Sequence, residues 1–370
     1  MTERTPSNQG ALYITTQATV GTYLAPTQAS DVAVGGLVSQ PHPEVAPGKV
    51  EQTEETSPYG GGGYAVTDTL RWDWPVVVRA SGIGNTAGAP VSDMLPLLRC
   101  CALDEDAPVV ADGIAVRFRP TVAFGIAGSA PQTGVPKVAS CTWIDGGGGN
   151  ADVFRGRDAV GQLASIAPSN GGVAMTFALM PLWYRAAGDI DSARVSRSAT
   201  SLTMAAVVMP TRASHPFFNT TGWTLAIDGG TANVAELIAT SCIETFDFQP
   251  NMSLDEQICL QEVDGFDPAY SVQAGPSALA LTITQTLGTT ITSPFSAMLR
   301  DLTGASIVLR KTIVYGGVTW GQQITINNFE VFSSADGDSN GKRTEVVTVR
   351  GFTLSASSRA WELQFDRVEP

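Results

Sequence analysis

Residues 336–341 read DGDSNG, a spacing that could hold a hard cation. Asp336, Asp338 and Asn340 offer side-chain oxygens at alternate positions, and Gly341 permits the sharp turn of an oxygen-lined calcium loop. The acid that closes such a loop is displaced: Val347 occupies the twelfth position and Glu345 stands two residues early. The competing reading is a polar hairpin turn between a strand ending at Phe332 and one starting near Thr344. Two acidic runs, LDEDAP at 103–108 and AGDID at 187–191, hold carboxylate pairs of the kind glycoside hydrolysis uses, yet both read as solvated turns. His42 and His215 each lie beside a proline and read as turn residues. The G-x-G of SGIGNTAG lacks the strand–helix–acid surroundings of a dinucleotide site, and neither a GxxxxGK[ST] loop nor a GxSxG elbow occurs. No set of residues meets the requirements of a catalytic site, so the expectation is a non-enzyme with no cofactor.

The elements that would carry these residues are strands. The chain has 370 residues, enough for two cores or one large β-domain, and its 38 glycines and 22 prolines punctuate short apolar runs. The formal charge is −13 and only four bases are lysines, Lys49, Lys137, Lys311 and Lys342, which disfavours a role in clamping phosphate backbones. Cys100, Cys101, Cys141, Cys242 and Cys259 form no CxxC or Cys/His cluster and read as reduced core residues of a protein made in a cytoplasm. The polar first ten residues do not read as a signal peptide, and the longest apolar stretch, 172–184, is too short to span a bilayer.

Residues 11–34, ALYITTQATVGTYLAPTQASDVAV, read as a strand or extended arm with little core of its own. The four glycines of SPYGGGGYAV, 57–66, read as a mobile loop tip between strands. Strands are expected at 66–80, 114–124, 137–144, 161–168 and 172–184, then at 279–286, 305–315, 322–332, 344–354 and 359–365. One phrase occurs twice: GIGNTAGAPVSDMLPLL (82–98) returns as TLGTTITSPFSAMLRDL (286–302). Gly84, Thr86, Pro90, Ser92, Met94, Leu95 and Leu98 fall on Gly288, Thr290, Pro294, Ser296, Met298, Leu299 and Leu302. Each copy follows a strand and reads as a polar loop leading into a short helix. In the first, Ser92 or Asp93 is the expected N-cap and Pro96 sits in the first turn, ahead of an apolar face of about three turns. The repeat predicts a mainly β (α+β) chain of two tandem β-sandwich or partial-barrel domains, each with one short helix. The expected boundaries are an N-terminal arm at 1–34, a first domain at 35–190, a linker at 191–201 and a second domain at 202–370.

Three of these stretches resemble phage tail tube (major tail) proteins of long-tailed phages. ALYITTQATVGTYLAPTQASDVAV is similar to their threonine-rich N-terminal signature, APVSDMLPLLRCCAL to their short helix after a small-residue loop, and GDSNGKRTEVVTVRGF to their late Asp-x-Asp-Gly hairpin. Where the family usually has Lys-Glu-Thr, this chain has Tyr13-Ile14-Thr15-Thr16. The resemblance implies stacked rings forming the hollow tube through which DNA leaves the capsid, with edge strands of neighbours joined into an inner wall. A ring would hold three chains as a pseudo-hexamer, if each half is one tube domain, or six chains. Implied partners are further copies of the chain, tail terminator and tail-tip proteins, and, transiently in the lumen, the tape measure protein and DNA, with no membrane. The implied location is the virion tail, assembled in the bacterial cytoplasm. Acids lining the lumen would let DNA slide, whereas acids facing outward would serve solubility. The N-terminal arm (Tyr13, Thr15, Thr16, Tyr23) and the glycine-rich tip (Tyr59, Gly60, Gly61, Gly62, Gly63, Tyr64) are the candidate self-assembly residues. The rival expectations are another virion β-protein (tail-tip, decoration or adhesin) and, more remotely, a carbohydrate-active enzyme.

Overall fold

Alternation with a period of two decides the architecture. Along Trp361–Val368, Trp361, Leu363 and Phe365 are buried while Glu362 and Gln364 between them are only partly so; along Ser306–Tyr315, Ile307 and Leu309 are buried between Ser306, Val308 and Arg310. Burying each such large apolar side chain is worth roughly 1.5–3 kcal/mol, which ties one face of the strand to the core. A computed structural model describes residues 10–17, 22–25, 34, 36–41, 44–45, 49–51, 63–65, 72–86, 89–92, 94–101, 103–109, 113–120, 138–145, 152–184, 190–192, 195–197, 216–228, 242–257, 269–274, 277–284, 295, 305–339, 341–352 and 359–369. The protein is mainly β, and its strand pairs are antiparallel.

Among the described residues the larger sheet has twelve strands. Its main path runs Glu44–Val45, Trp72–Arg79, Gly172–Trp183, Asp152–Ser169, Cys242–Gln249, Ser277–Thr284, Lys342–Gly351 and Glu330–Ser339. Gly10–Thr16 joins through Ala139–Asp145, which pairs with Asp152–Ser169. The smaller sheet has six strands in the order Trp223–Asp228, Ser306–Tyr315, Val318–Ile326, Trp361–Val368, Gly113–Pro120 and Leu103–Asp106. Aromatic pairs link the two: Phe248 meets Trp361 edge-on at 5.4 Å between ring centroids, and Trp223 meets Phe246 at 4.8 Å.

The strand order crosses the expected division at 191–201. Gly113–Pro120 and Leu103–Asp106, from the first half, complete a sheet otherwise built from the second, with Leu363 opposite Phe118. One hydrophobic cluster contains Leu12, Trp74 and Phe177 together with Phe248, Trp361 and Phe365. Within the expected linker, Ile190–Ser192 pairs with Val195–Arg197, which in turn pairs with Asp152–Ser169. The strand expected at 322–332 is two strands: Val318–Ile326 in the smaller sheet and Glu330–Ser339 in the larger. The corner is made by Asn327 and Asn328, the latter at φ 46, and their amides donate to the Arg359 and Phe352 carbonyls. Asparagine tolerates this left-handed conformation better than most residues.

The helix of the first phrase spans Leu95–Cys100, with Pro96 in its first turn as expected. Its N-cap is Met94 rather than Ser92 or Asp93, and the Ser92 hydroxyl accepts from the Met94 N–H at 3.3 Å. Three apolar turns were expected and six helical residues are present, because Cys101 turns extended. Most of the second phrase lies outside the described residues. Its Phe295 is helical and buried in the common core, whereas Val91, its ungapped counterpart, closes the Ala89–Val91 strand.

Candidate assembly surfaces

Of the two expectations for the N-terminal segment, a strand or an extended arm with little core of its own, the structure has a strand, and it is buried in the sheet. Gly10–Thr16 lies along Ala139–Asp145, with Tyr13 opposite Thr142, and Leu12, Tyr13 and Ile14 are all buried. Thr15 is half-buried and Thr16 exposed. Adjacent side chains of a strand point to opposite faces, so burial of both faces requires cover on each. Residues 22–25 lie over part of this region: the Leu24 N–H donates to Ser140, the Tyr23 hydroxyl lies 2.6 Å from the Thr142 hydroxyl, and the Tyr23 ring stacks on Tyr184 at 4.5 Å. Burial pushes both phenols, Tyr13 and Tyr23, up to about 12. At the strand's end Gln17 grips Asp158, its amide donating to the carboxylate at 3.0 Å and its carbonyl accepting the Asp158 N–H at 2.7 Å.

Of the glycine-rich tip, Tyr59, Gly60, Gly61 and Gly62 lie outside the described residues. Gly63 and Tyr64 open the strand Gly63–Ala65, which pairs with Lys49–Glu51 as a two-stranded ribbon, so the last glycine belongs to a strand rather than to the loop. Glu44–Val45, which precedes the ribbon in the chain, pairs with Asp73 and Trp72.

The calcium candidates sit on a hairpin. Asp336 and Asp338 are exposed on Glu330–Ser339, opposite Glu345 and Arg343. An extended ladder spreads alternate side chains along one face and does not wrap them around a cation. Asn340 lies outside the described residues, and Gly341 at φ 74 completes the turn, its N–H donating to the Asp338 carboxylate. Among the described residues no group of three or more His, Cys, Asp or Glu is placed to hold a metal ion.

The LDED run, expected as a solvated turn, is the edge strand Leu103–Asp106, and its acids are paired. Arg99 forks onto Glu105, Arg117 onto Asp106 at 2.9 Å, and Arg359 reaches Asp104 at 3.3 Å. The hydrogen bonds from Arg117 hold the Asp106 carboxyl below its ordinary value. In register across the same face stand Arg310, Gln323, Gln364 and Arg117, and Arg310 also grips the buried Asp366. This polar face is cross-braced, and Arg117, Arg119, Asp106 and Glu362 on it are each roughly a quarter exposed. Of AGDID, Asp191 lies in the Ile190–Ser192 strand, while 187–189 lie outside the described residues, as do His42 and His215.

One surface was not anticipated. An open concavity of about 600 Å³ lies where the 216–219 segment passes between the two sheets. Arg79, Phe217 and Ile313 line it, and Val314 and Tyr315, 74% and 48% exposed, form its rim at the tip of a hairpin. Arg79 is the one charged residue of the lining, and its Nε is buried without a hydrogen-bond partner among the described residues. The sequence signal was YGG at 315–317: large apolar residues beside a Gly-Gly turn sit at a hairpin tip, beyond the reach of their own core. Cys100, Cys101 and Cys141 are free and buried, and among the described residues no helix is long and apolar enough to cross a membrane. No protein-family model and no curated protein matches the chain.

Proposed function

We propose that this chain is a structural virion protein that assembles with copies of itself into the hollow tube of a phage tail. The observation that carries the proposal is the open margin of the larger sheet. Among the described residues Glu330–Ser339 is the ten-residue strand that ends the sheet, and Phe332 on it and Val346 on its partner strand are 46% and 42% exposed. A protein that remains a monomer blunts or covers such an edge, whereas one that joins edge to edge around an axis uses it. The resemblance of the N-terminal, helix and late-hairpin stretches to tail tube proteins points the same way. Because both halves share each sheet and one core, the proposal takes each chain as one tube subunit and six chains as the ring.

Negative-stain electron microscopy of the purified full chain, with mass photometry on the same sample, tests this. Hollow rings or tubes with a ring mass of six times 38.7 kDa are expected. Three chains per ring would restore the pseudo-hexamer. A monomer that fails to polymerise even on added tail tips would overturn the tube and leave the decoration or adhesin alternative.

A further inference from the structure

We propose that the Arg79 concavity docks an extended peptide segment of another protein, which adds a short strand to the smaller sheet and sets a carboxylate on the Arg79 guanidinium. The proposal stands independently of the tube reading. Its first observation is charge. Arg99, Arg117, Arg310 and Arg359 each hold a carboxylate, whereas Arg79 has no acid partner, and its Nε no acceptor, among the described residues. A guanidinium beside Phe217, Ile313 and Tyr315, with no other charge in the lining, attracts a carboxylate more strongly than one in open water, and its planar fork fits one bidentately. The recess is framed for this side chain. Gly171 and Gly36 lie at φ 86 and 68, and a Cβ there would come within 3.2 Å of the Arg79 Nη2 and 2.6 Å of the Phe217 ring. The net charge of −13 repels a strongly acidic partner, so a single acid among apolar residues is the chemistry that fits.

The second observation is an unpaired stretch of backbone along the same recess. Ser306–Tyr315 pairs with Val318–Ile326 as far as Tyr315, but with Trp223–Asp228 only as far as Lys311. The chain ahead of Trp223 lies against the larger sheet instead: the Phe218 N–H donates to the Ala80 carbonyl and the Gly82 N–H to the Pro216 carbonyl. Among the described residues Thr312–Tyr315 therefore has a strand on one side only, and Ile313, Val314 and Tyr315 line the concavity. Gly316 and Gly317, at φ 63 and 82, form the tight turn that makes Tyr315 and Val318 the hydrogen-bonded pair closing the hairpin. Strand alternation then directs the Val314 N–H and C=O to the unpaired side. A peptide laid there takes main-chain bonds from Val314 and packs alternate side chains on Phe217 and Tyr315, which is recognition by strand addition. A small carboxylate would use the guanidinium alone.

Fluorescence anisotropy on the full chain tests this, with labelled pentapeptides that carry a central glutamate between valine, leucine or phenylalanine neighbours, and the same peptides with glutamine at the centre. The glutamate peptides are expected to bind saturably, about tenfold or more tighter than their glutamine counterparts, and Arg79→Gln to erase that difference. Val314→Pro removes an N–H that the hairpin ladder does not use, so it should weaken both peptide sets about tenfold at an unchanged thermal midpoint, while Val314→Ala binds like the wild type. Methylating alternate backbone nitrogens of the peptides should cause the same loss without touching the protein. The absence of saturable binding by every peptide up to about 1 mM would overturn the proposal. So would 3-phenylpropionate binding as tightly as the peptides, which would leave a carboxylate pocket without strand addition. Self-association of the wild type that Arg79→Gln abolishes, with no peptide bound by either protein, would seat a second copy there and overturn it too.

Discussion

Tyr23 shows how a single side chain ties the N-terminal region to the sheet. Its ring stacks on Tyr184, its hydroxyl meets Thr142, and burial holds its proton well past the ordinary tyrosine range, to about 12 from 10.0. A phenol whose folded-state value is raised contributes stability in full below pH 10 and loses it as pH rises toward 12. The loss amounts to up to roughly 3 kcal/mol for this group. The urea midpoint of the wild type is therefore expected to fall between pH 10 and 12, and Tyr23→Phe to fall less, with Tyr13 supplying the remainder. Equal slopes in the two proteins would show that the phenol ionises without cost. At this scale the sequence was informative about residue type only. Aromatic and threonine residues at 13–23 marked a β segment, but nothing local in them told a free arm from a buried strand.

At the scale of the element, the N-terminal strand is held along its length by the Ala139–Asp145 ladder and locked at its end by Gln17. Gln17→Ala removes the side-chain bonds to Asp158 and leaves a buried backbone N–H without that partner, at a cost of about 1–3 kcal/mol. The amides of residues 10–17 should then exchange faster than those of Ala139–Asp145 in hydrogen-exchange mass spectrometry; matched protection would place the lock elsewhere. Element identity was legible where the pattern is local: the alternation in ASIVLRKTIVY and RAWELQF marked strands that are present, and Pro96 marked the first turn of a helix. It failed at corners and edges. In the 322–332 run apolar residues flank Asn327–Asn328 on both sides, so the switch from one sheet to the other was hidden. LDED lacked any apolar alternation, yet arginines from elsewhere in the chain make it a strand.

For the whole molecule, the consequence of shared sheets is shared unfolding. Trp361→Ala in the smaller sheet and Trp74→Ala in the larger are each expected to cost about 3–5 kcal/mol and to lower one and the same calorimetric transition. Two transitions, each moved by only one of the substitutions, would restore the two tandem domains that the repeated phrase suggested. The same integration bears on assembly. The Glu330–Ser339 strand, which ends the larger sheet among the described residues, and the Arg79 concavity are surfaces of one two-sheet unit on which the proposed assembly would draw.

Local sequence pattern sets the mainly β class, the short proline-started helix and many of the strands, though not Trp223–Asp228, Cys242–Gln249 or Met252–Gln257. The elements it sets follow from alternation and turn chemistry within windows of about ten residues. Which strands lie side by side is a matter of long-range pairing: Leu363 finds Phe118 and Ile166 finds Phe248 across separations that no local pattern encodes. The tertiary structure also decided that DGDSNG closes a hairpin, that Tyr13 is buried, and that Arg79 faces an apolar recess. Each of these depends on what surface arrives from a distant part of the chain, and burial and ion pairing are properties of that meeting rather than of either segment alone.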